Sequence, residues 1–567
     1  MGVWYGTVDH CCASYGTGLN PSDARGTNFF ASTQRRRIIE RGQRLMCGIC
    51  LWVDQSDNRS DAVDSPPSWL LRRGPDDQGR ISWNRVTLQA SVLCMREELI
   101  SQPVSLHNDD GGGLAYLCWN GEVYQSTNYQ ISLTSSNGVA GDATNATVDG
   151  AAGEPSVSDT RYVADLLRQI ISSQVNQRPE SLMPKLVILL QSLVNAEFAF
   201  CLATADWIYY GKDPWGRRSL LTGVDSDQWC LASVADKTHE DLTWKEVEAG
   251  IVFAYNISSG SMHQLKYSNT SLPLMIARQD PSEELCKLLS TAVQRRIAGN
   301  QQVAVLFSGG LDSVVLAALA LQERRKVTLI NVSFVFDKNG QYAKESAAAD
   351  TRAAIASYRE LVKLFPDSLI DFQQRQVSWN EVEHERRNIA QLIFPKETVM
   401  DFNIATAFWF AADAVDARIL LSGLGADEQM GGYGRHRKAW ERGGDQALRE
   451  ELQKDQSRLW ERNLGRDDRV LSDTQKEARY PFLDTAVVNF LASLELDKIC
   501  DFTLPPGQGD KKILRSVAEK LGLMSASKAI KRAIQFGSRI AHVSDKKTFG
   551  SRRKAIGEAR YGGTSSG

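Results

Sequence analysis

A chain of 567 residues is too long for one hydrophobic core, so two or more domains are expected. Its 42% hydrophobic and 24% charged residues are those of an ordinary globular protein, and a formal net charge of -2 gives no electrostatic footprint for nucleic acid or an anionic membrane. No apolar run approaches the roughly 18 to 20 residues of a bilayer span, and no secretory-type apolar region opens the chain, so a cytoplasmic location is expected. The ten cysteines are too sparse for a disulfide scaffold, and Cys47 and Cys50 lack the second C-x-x-C of a zinc site.

Residues 1–45 show neither helical nor strand periodicity and end in the basic "QRRRIIERGQRL", which reads as a disordered extension or a mis-assigned start. From Met46 to about residue 270, alternating segments such as "RVTLQASVLCM", "GLAYLCWNGEVY" and "FAFCLATADWIYYGKD" predict the strands of a sheet-rich domain, 46–270. Within it, 126–158 is rich in Ser, Thr, Asn, Gly and Ala and reads as a flexible surface insertion.

A second domain, 275–545, changes pattern. "ELCKLLSTAVQRRI" predicts a helix, "VAVLF" a buried strand, "SVVLAALALQER" a helix and "VTLINVSFV" another buried strand. Such α/β alternation implies a parallel sheet with ligands at the carboxyl ends of its strands. Residues 546–567 form a basic, Gly-rich tail.

"VAVLFSGGLDSVVLAAL" places Ser308, Gly309, Gly310, Leu311, Asp312 and Ser313 at a strand-to-helix turn. Two glycines admit an anion close to the backbone, the helix N-terminus supplies positive field, and two serines add donors. The Lys-Ser/Thr pair of a Walker loop is missing, which favours a pyrophosphate cradle over γ-phosphate transfer, with Asp312 as a magnesium ligand. A second strand, Ile419–Leu421, runs into "SGLGADEQMGGY", where Asp427 is placed to share that metal or, in the plainer alternative, to favour a helix N-terminus.

Taken in order, "MCGI" at 46–49, "RRGPDD" at 72–77, "WNGEVY" at 119–124, "SGGLDS" at 308–313, "SGLGADEQMGGY" at 422–433 and "EARYPFLD" at 477–484 resemble the glutamine-dependent asparagine synthetases. "NLGRDDRV" at 463–470, "KEARYPFLD" and "KRAIQFGSRI" at 531–540 are similar to a divergent eukaryotic branch, the asparagine synthetase domain-containing proteins. The resemblance implies an α+β N-terminal nucleophile glutaminase of stacked antiparallel sheets with flanking helices, followed by an α/β parallel-sheet ATP pyrophosphatase domain.

The implied activity is synthesis of asparagine from aspartate, glutamine and ATP, with ammonia passing internally and AMP and pyrophosphate released. ATP and Mg2+ are the implied cofactors and the small-molecule substrates the implied partners, with a homodimer left open. The implied nucleophile is Cys47, with Asn120 and Gly121 as oxyanion hole and with Arg73, Asn120, Glu122 and Asp159 around glutamine. Leu306, Ser308, Gly309, Gly310, Asp312, Ser313, Ser422 and Gly423 are implied at ATP, and Asp312 and Asp427 at the metal. Read alone, Cys47 is equally a buried small hydrophobe and Asn120-Gly121 a hairpin turn.

Three positions depart from the family pattern. A glutamine-carboxylate arginine falls, on a gap-free count, at Ser91, near Arg96; the first glutamate of the second loop is Leu424; and a lysine falls at Ala533, beside Lys531 and Arg532. They motivate two alternatives: a catalytically weakened scaffold or regulatory protein, and an amidotransferase with a different carboxylate acceptor. Cys47 can use its own α-amine as base only where it is the first residue, so translation from Met46 with removal of that methionine is expected.

Overall fold

The structure is a computed structural model of the chain, and it describes residues 47–54, 67–74, 76–95, 98–106, 115–124, 158–171, 178–236, 241–267, 280–324, 326–335, 349–530 and 534–540. All of these lie in one compact unit, 43–567. The expectations for 1–45, for the insertion up to 157, for Arg96, Lys531, Arg532 and Ala533, and for the tail lie outside the described residues.

The strand Gly48–Asp54 alternates two buried faces, as a strand covered on both sides must. Ile49, Leu51 and Val53 face a core shared with Cys118, Ala199, Cys201 and Tyr210, which belong to a second sheet. Cys50 and Trp52 face the opposite core, together with Phe402, Trp409 and Leu420 from much later in the chain.

Two six-stranded antiparallel sheets result. One runs Thr243–Glu246, Leu221–Val224, Gln228–Ala232, Gly48–Asp54, Val86–Val92, Asp77–Trp83. The other runs Met262–Lys266, Ile251–Asn256, Trp207–Lys212, Ala196–Thr204, Ala115–Val123, Val104–Ser105. Helices Asp159–Ile171 and Pro179–Ser192 cover the far face of the second sheet through Leu167, Ile170, Leu186 and Leu190.

The later residues build the parallel sheet that the α/β alternation predicts. Its order is Leu369–Val377, Lys326–Phe334, Val303–Leu306, Ile419–Leu421, Glu477–Arg479, that is, third, second, first, fourth and fifth in chain order. The helix leading into it, Pro281–Ile297, starts where Asp280 accepts the Ser282 amide at 2.9 Å and proline takes the first helical position. In such a sheet the order reverses between Val303–Leu306 and Ile419–Leu421, and the crevice beyond their carboxyl ends is where a ligand fits. Among the described residues no helix is long and apolar enough to cross a membrane.

Candidate active site

Two clefts carry the residues singled out by the sequence. The first lies at the edge of the second antiparallel sheet, and its wall includes Cys47, Asn120, Gly121, Glu122, Asp159 and Glu477. Cys47 immediately precedes the strand Gly48–Asp54, and its Sγ accepts the Leu93 amide at 3.1 Å. Burial pushes the thiol up to about 12; the Glu477 and Glu122 carboxylates add to the shift, while the Leu93 hydrogen bond and Arg73 oppose it. At rest the group is therefore a thiol that needs a base to become a nucleophile.

The strand Ala115–Val123 presents its donors by period-two geometry. The Trp119 amide donates to Gln102 Oε1 at 2.6 Å and the Val123 amide to Asp159 Oδ1 at 2.9 Å, so the Gly121 amide between them points the same way. A Cβ on Gly121 would lie 2.2 Å from the Glu197 carbonyl oxygen, which reserves the position for glycine. Asn120 is 2% exposed, and its Nδ2 has no hydrogen-bond partner among the described residues. A buried amide left without an acceptor costs free energy, about 1–3 kcal/mol, unless a ligand supplies one.

Arg73 does not form part of that wall. Its Nε donates to the Cys47 carbonyl at 3.2 Å and its Nη2 meets Asp468 at 2.9 Å, so it fixes the cysteine's backbone from behind. Ser91 is next to last in the strand Val86–Val92, opposite Gly48; it is 1% exposed and is not among the described residues that line the cleft. Among its described residues the wall carries the carboxylates of Glu98, Glu122, Asp159 and Glu477 and no basic side chain.

The second cleft, about 580 Å³, opens beyond the point where the parallel sheet reverses its order. Leu306, Ser308, Asp312, Ser313, Ser422, Gly423, Leu424 and Asp427 all line it. Gly309 takes a φ of 74°, and a Cβ on it would sit 2.2 Å from the Ala354 nitrogen. Ser308 Oγ accepts the Gly310 amide at 3.2 Å, and Ser313 Oγ donates to the Gly310 carbonyl at 3.0 Å. A Cβ on Gly423 would lie 2.9 Å from Asp312 Cβ, so the two loops touch only because glycine is there.

Lys511 joins the loops. Its Nζ is 2.6 Å from both Asp312 carboxylate oxygens and 2.6 Å from Asp427 Oδ1. In the sequence this lysine lies in "DKKILR", a charged pair before an amphipathic helix, which ordinarily marks a solvated face. Behind the second loop, Tyr433 Oη donates to Glu428 Oε1 at 2.5 Å, and His436 and Arg435 hold Asp455 at 2.8 and 2.6 Å. Leu424 stands in the cleft wall with Met400, Ile404 and Phe408.

Between the clefts, Arg479 Nε holds Glu477 at 2.6 Å and its Nη2 approaches Glu122 at 3.5 Å, while Arg218 Nη2 lies 3.2 Å from Glu477. Burial raises the Glu477 carboxyl above its ordinary range against the pull of Arg218 and Arg479, and Glu122 adds to the rise.

The asparagine synthase family model matches residues 284–445 and 439–525. The chain is 29% identical to asparagine synthetase domain-containing protein 1 of Bos taurus, over 88% of this chain and 96% of the relative. It is 29% identical to an asparagine synthetase domain-containing protein of Saccharomyces cerevisiae, over 86% of this chain and 90% of the relative. A glutamine phosphoribosylpyrophosphate amidotransferase from B. subtilis, at 14% identity and a TM-score of 0.25, covers 58% of this chain and 85% of its own. Residues 284–525 thus match the asparagine synthase domain, and along most of its length the chain is similar to the asparagine synthetase domain-containing proteins.

Proposed function

We propose that the chain forms an amide from a carboxylate, ATP and the side-chain nitrogen of glutamine, with aspartate as the acceptor. Residues 46–270 act as the glutamine amidotransferase and 275–545 as the synthetase. The observation that carries this is the meeting of two glycine-bearing loops at one switch point, with Asp312 and Asp427 turned onto a single cation.

In the first cleft, Cys47 Sγ attacks the amide carbon of glutamine. Its proton passes to the departing nitrogen through the α-amine of Cys47, wherever that residue has been exposed as the first. Asn120 Nδ2 and the Gly121 amide donate to the oxyanion, and Glu122 and Asp159 hold the substrate ammonium. Ammonia leaves as the thioester forms, and water then releases glutamate.

In the second cleft, the Ser308–Ser313 loop, Leu306, Ser422 and Gly423 surround ATP. The acceptor carboxylate attacks the α-phosphorus, pyrophosphate departs, and ammonia displaces AMP from the acyl carbon. Two carboxylates with oxygen-only donors suit magnesium, which when bound supplies positive charge against the polyphosphate.

Cys47→Ala abolishes glutamine-driven product and leaves ammonium-driven product at the wild-type level. Equal loss of both overturns the two-site assignment. The apolar wall formed by Leu424, Met400, Ile404 and Phe408 favours a second version, in which the acceptor is a carboxylate other than aspartate. Pyrophosphate release stimulated by another acid and not by aspartate would select that version.

A further inference from the structure

The lysine between the two loops is held by more than charge. Lys511 has a φ of 52° and a ψ of 36°, the left-handed region that a side chain-bearing residue enters only under constraint, and it opens the helix Lys512–Lys520. Its amide donates to the Met430 carbonyl at 3.0 Å. The stem passes Gly432, where a Cβ would lie 2.4 Å from Lys511 Cε and 1.9 Å from Asp427 Oδ1. The ammonium, with its side chain 3% exposed, donates to both Asp312 carboxylate oxygens and forms an ion pair with Asp427 Oδ1 at 2.6 Å.

We propose that Lys511 holds the metal position closed in the nucleotide-free protein and yields it only when a polyphosphate offers the ammonium new acceptors. The inference rests on the placement of the ATP phosphates at the Ser308–Ser313 loop. A divalent cation shared by Asp312 and Asp427 would draw on the same carboxylate oxygens that Lys511 occupies, and two cations on one oxygen cluster repel at close range. While the lysine stays, it offsets one of the two carboxylate charges and occupies their oxygens, so the cluster attracts a metal more weakly. A triphosphate reverses this balance, because it draws the ammonium off and brings its own oxygens to complete the metal's coordination. Metal and nucleotide therefore enter together.

The test is Mn2+ binding to the full chain, read by electron paramagnetic resonance near neutral pH, first without nucleotide and then with an ATP analogue whose α–β bridge cannot be cleaved. Wild type binds Mn2+ weakly until the analogue is added. Lys511→Met binds one Mn2+ without nucleotide, roughly tenfold or more tighter than wild type, and Lys511→Met combined with Asp427→Asn loses it. Lys511→Gln, equal in polarity but uncharged, gives the same gain and replaces Lys511→Met should that variant not fold. Nucleotide-free Mn2+ binding that is equal in wild type and both lysine variants, strong or weak, overturns the proposal. Failure of the analogue to bind wild type would count instead against the phosphate-loop placement.

Discussion

Asn120 and Cys47 show what one residue in the right surroundings can do. The Asn120 amide is buried with no acceptor among the described residues, beside a thiol whose pKa has risen to about 12. An oxyanion is the acceptor that would satisfy it, so Asn120→Ala should lower the glutaminase kcat by about 10²- to 10³-fold with little change in stability. Steady-state glutamate release beside a thermal melt checks both halves. Because the thiol's pKa is raised, its thiolate is scarce at neutral pH and increases as pH climbs toward 12. Alkylation of Cys47 by iodoacetamide, followed on its own peptide by mass spectrometry, should therefore keep accelerating above pH 9, where an ordinary thiol near 8.5 levels off. Cys47 and Asn120 stood out only through their resemblance to an ordered set of family strings, whereas Asp312 and Asp427 also lie in glycine-rich loops at strand ends. The sequence did not show Lys511, whose role comes from a left-handed backbone and from Gly432, neither of which leaves a local pattern.

At the scale of elements, the strand-loop-helix from Val303 to Glu323 is the most legible part of the chain: an apolar strand, two glycines and an apolar helix are each a local signal. Gly309 sits at φ 74° with the Ala354 backbone 2.2 Å from any added Cβ, so Gly309→Ala should destabilise the protein. The backbone conformation alone accounts for about 1–2 kcal/mol, and displacement of the helix Ala349–Leu364 adds more. Denaturant unfolding of the variant measures it, and a midpoint equal to wild type would show that the loop has slack. The edge of the strand Ala115–Val123 was less legible. Gln102 takes over the Trp119 backbone through 2.6 and 3.0 Å bonds, a side chain standing in for a neighbouring strand, and glutamine in a loop ordinarily signals nothing. Ser91, buried opposite Gly48, lies outside the described lining of that cleft, a placement that a count along the chain does not carry.

Across the whole molecule, charge joins the halves that composition suggested were separate. Arg296 meets Glu197 at 2.9 Å and Asp484 at 2.8 Å, Arg73 meets Asp468, and Arg218 meets Glu477 and the Ala478 carbonyl, all with nearly complete burial. Arginine and glutamate read from sequence are surface residues by default, so this seam was invisible before the fold was known. Removing one partner strands the others in low dielectric, and Arg218→Ala should cost about 3–5 kcal/mol. With the core also continuous across the seam, scanning calorimetry should show the antiparallel and parallel sheets melting in one transition, moved down as a whole by Arg218→Ala. Two transitions, only one of them moved, would contradict a shared core.

The central claim is that the cleft at the reversal of the parallel sheet splits ATP between its α and β phosphates to activate a carboxylate. Exchange of labelled pyrophosphate into ATP, stimulated by aspartate or another carboxylic acid, tests it with no nitrogen donor present. The account predicts exchange that survives Cys47→Ala and disappears in Asp312→Asn and Asp427→Asn. Formation of ADP and phosphate in place of AMP and pyrophosphate, or exchange indifferent to both aspartates, would contradict it.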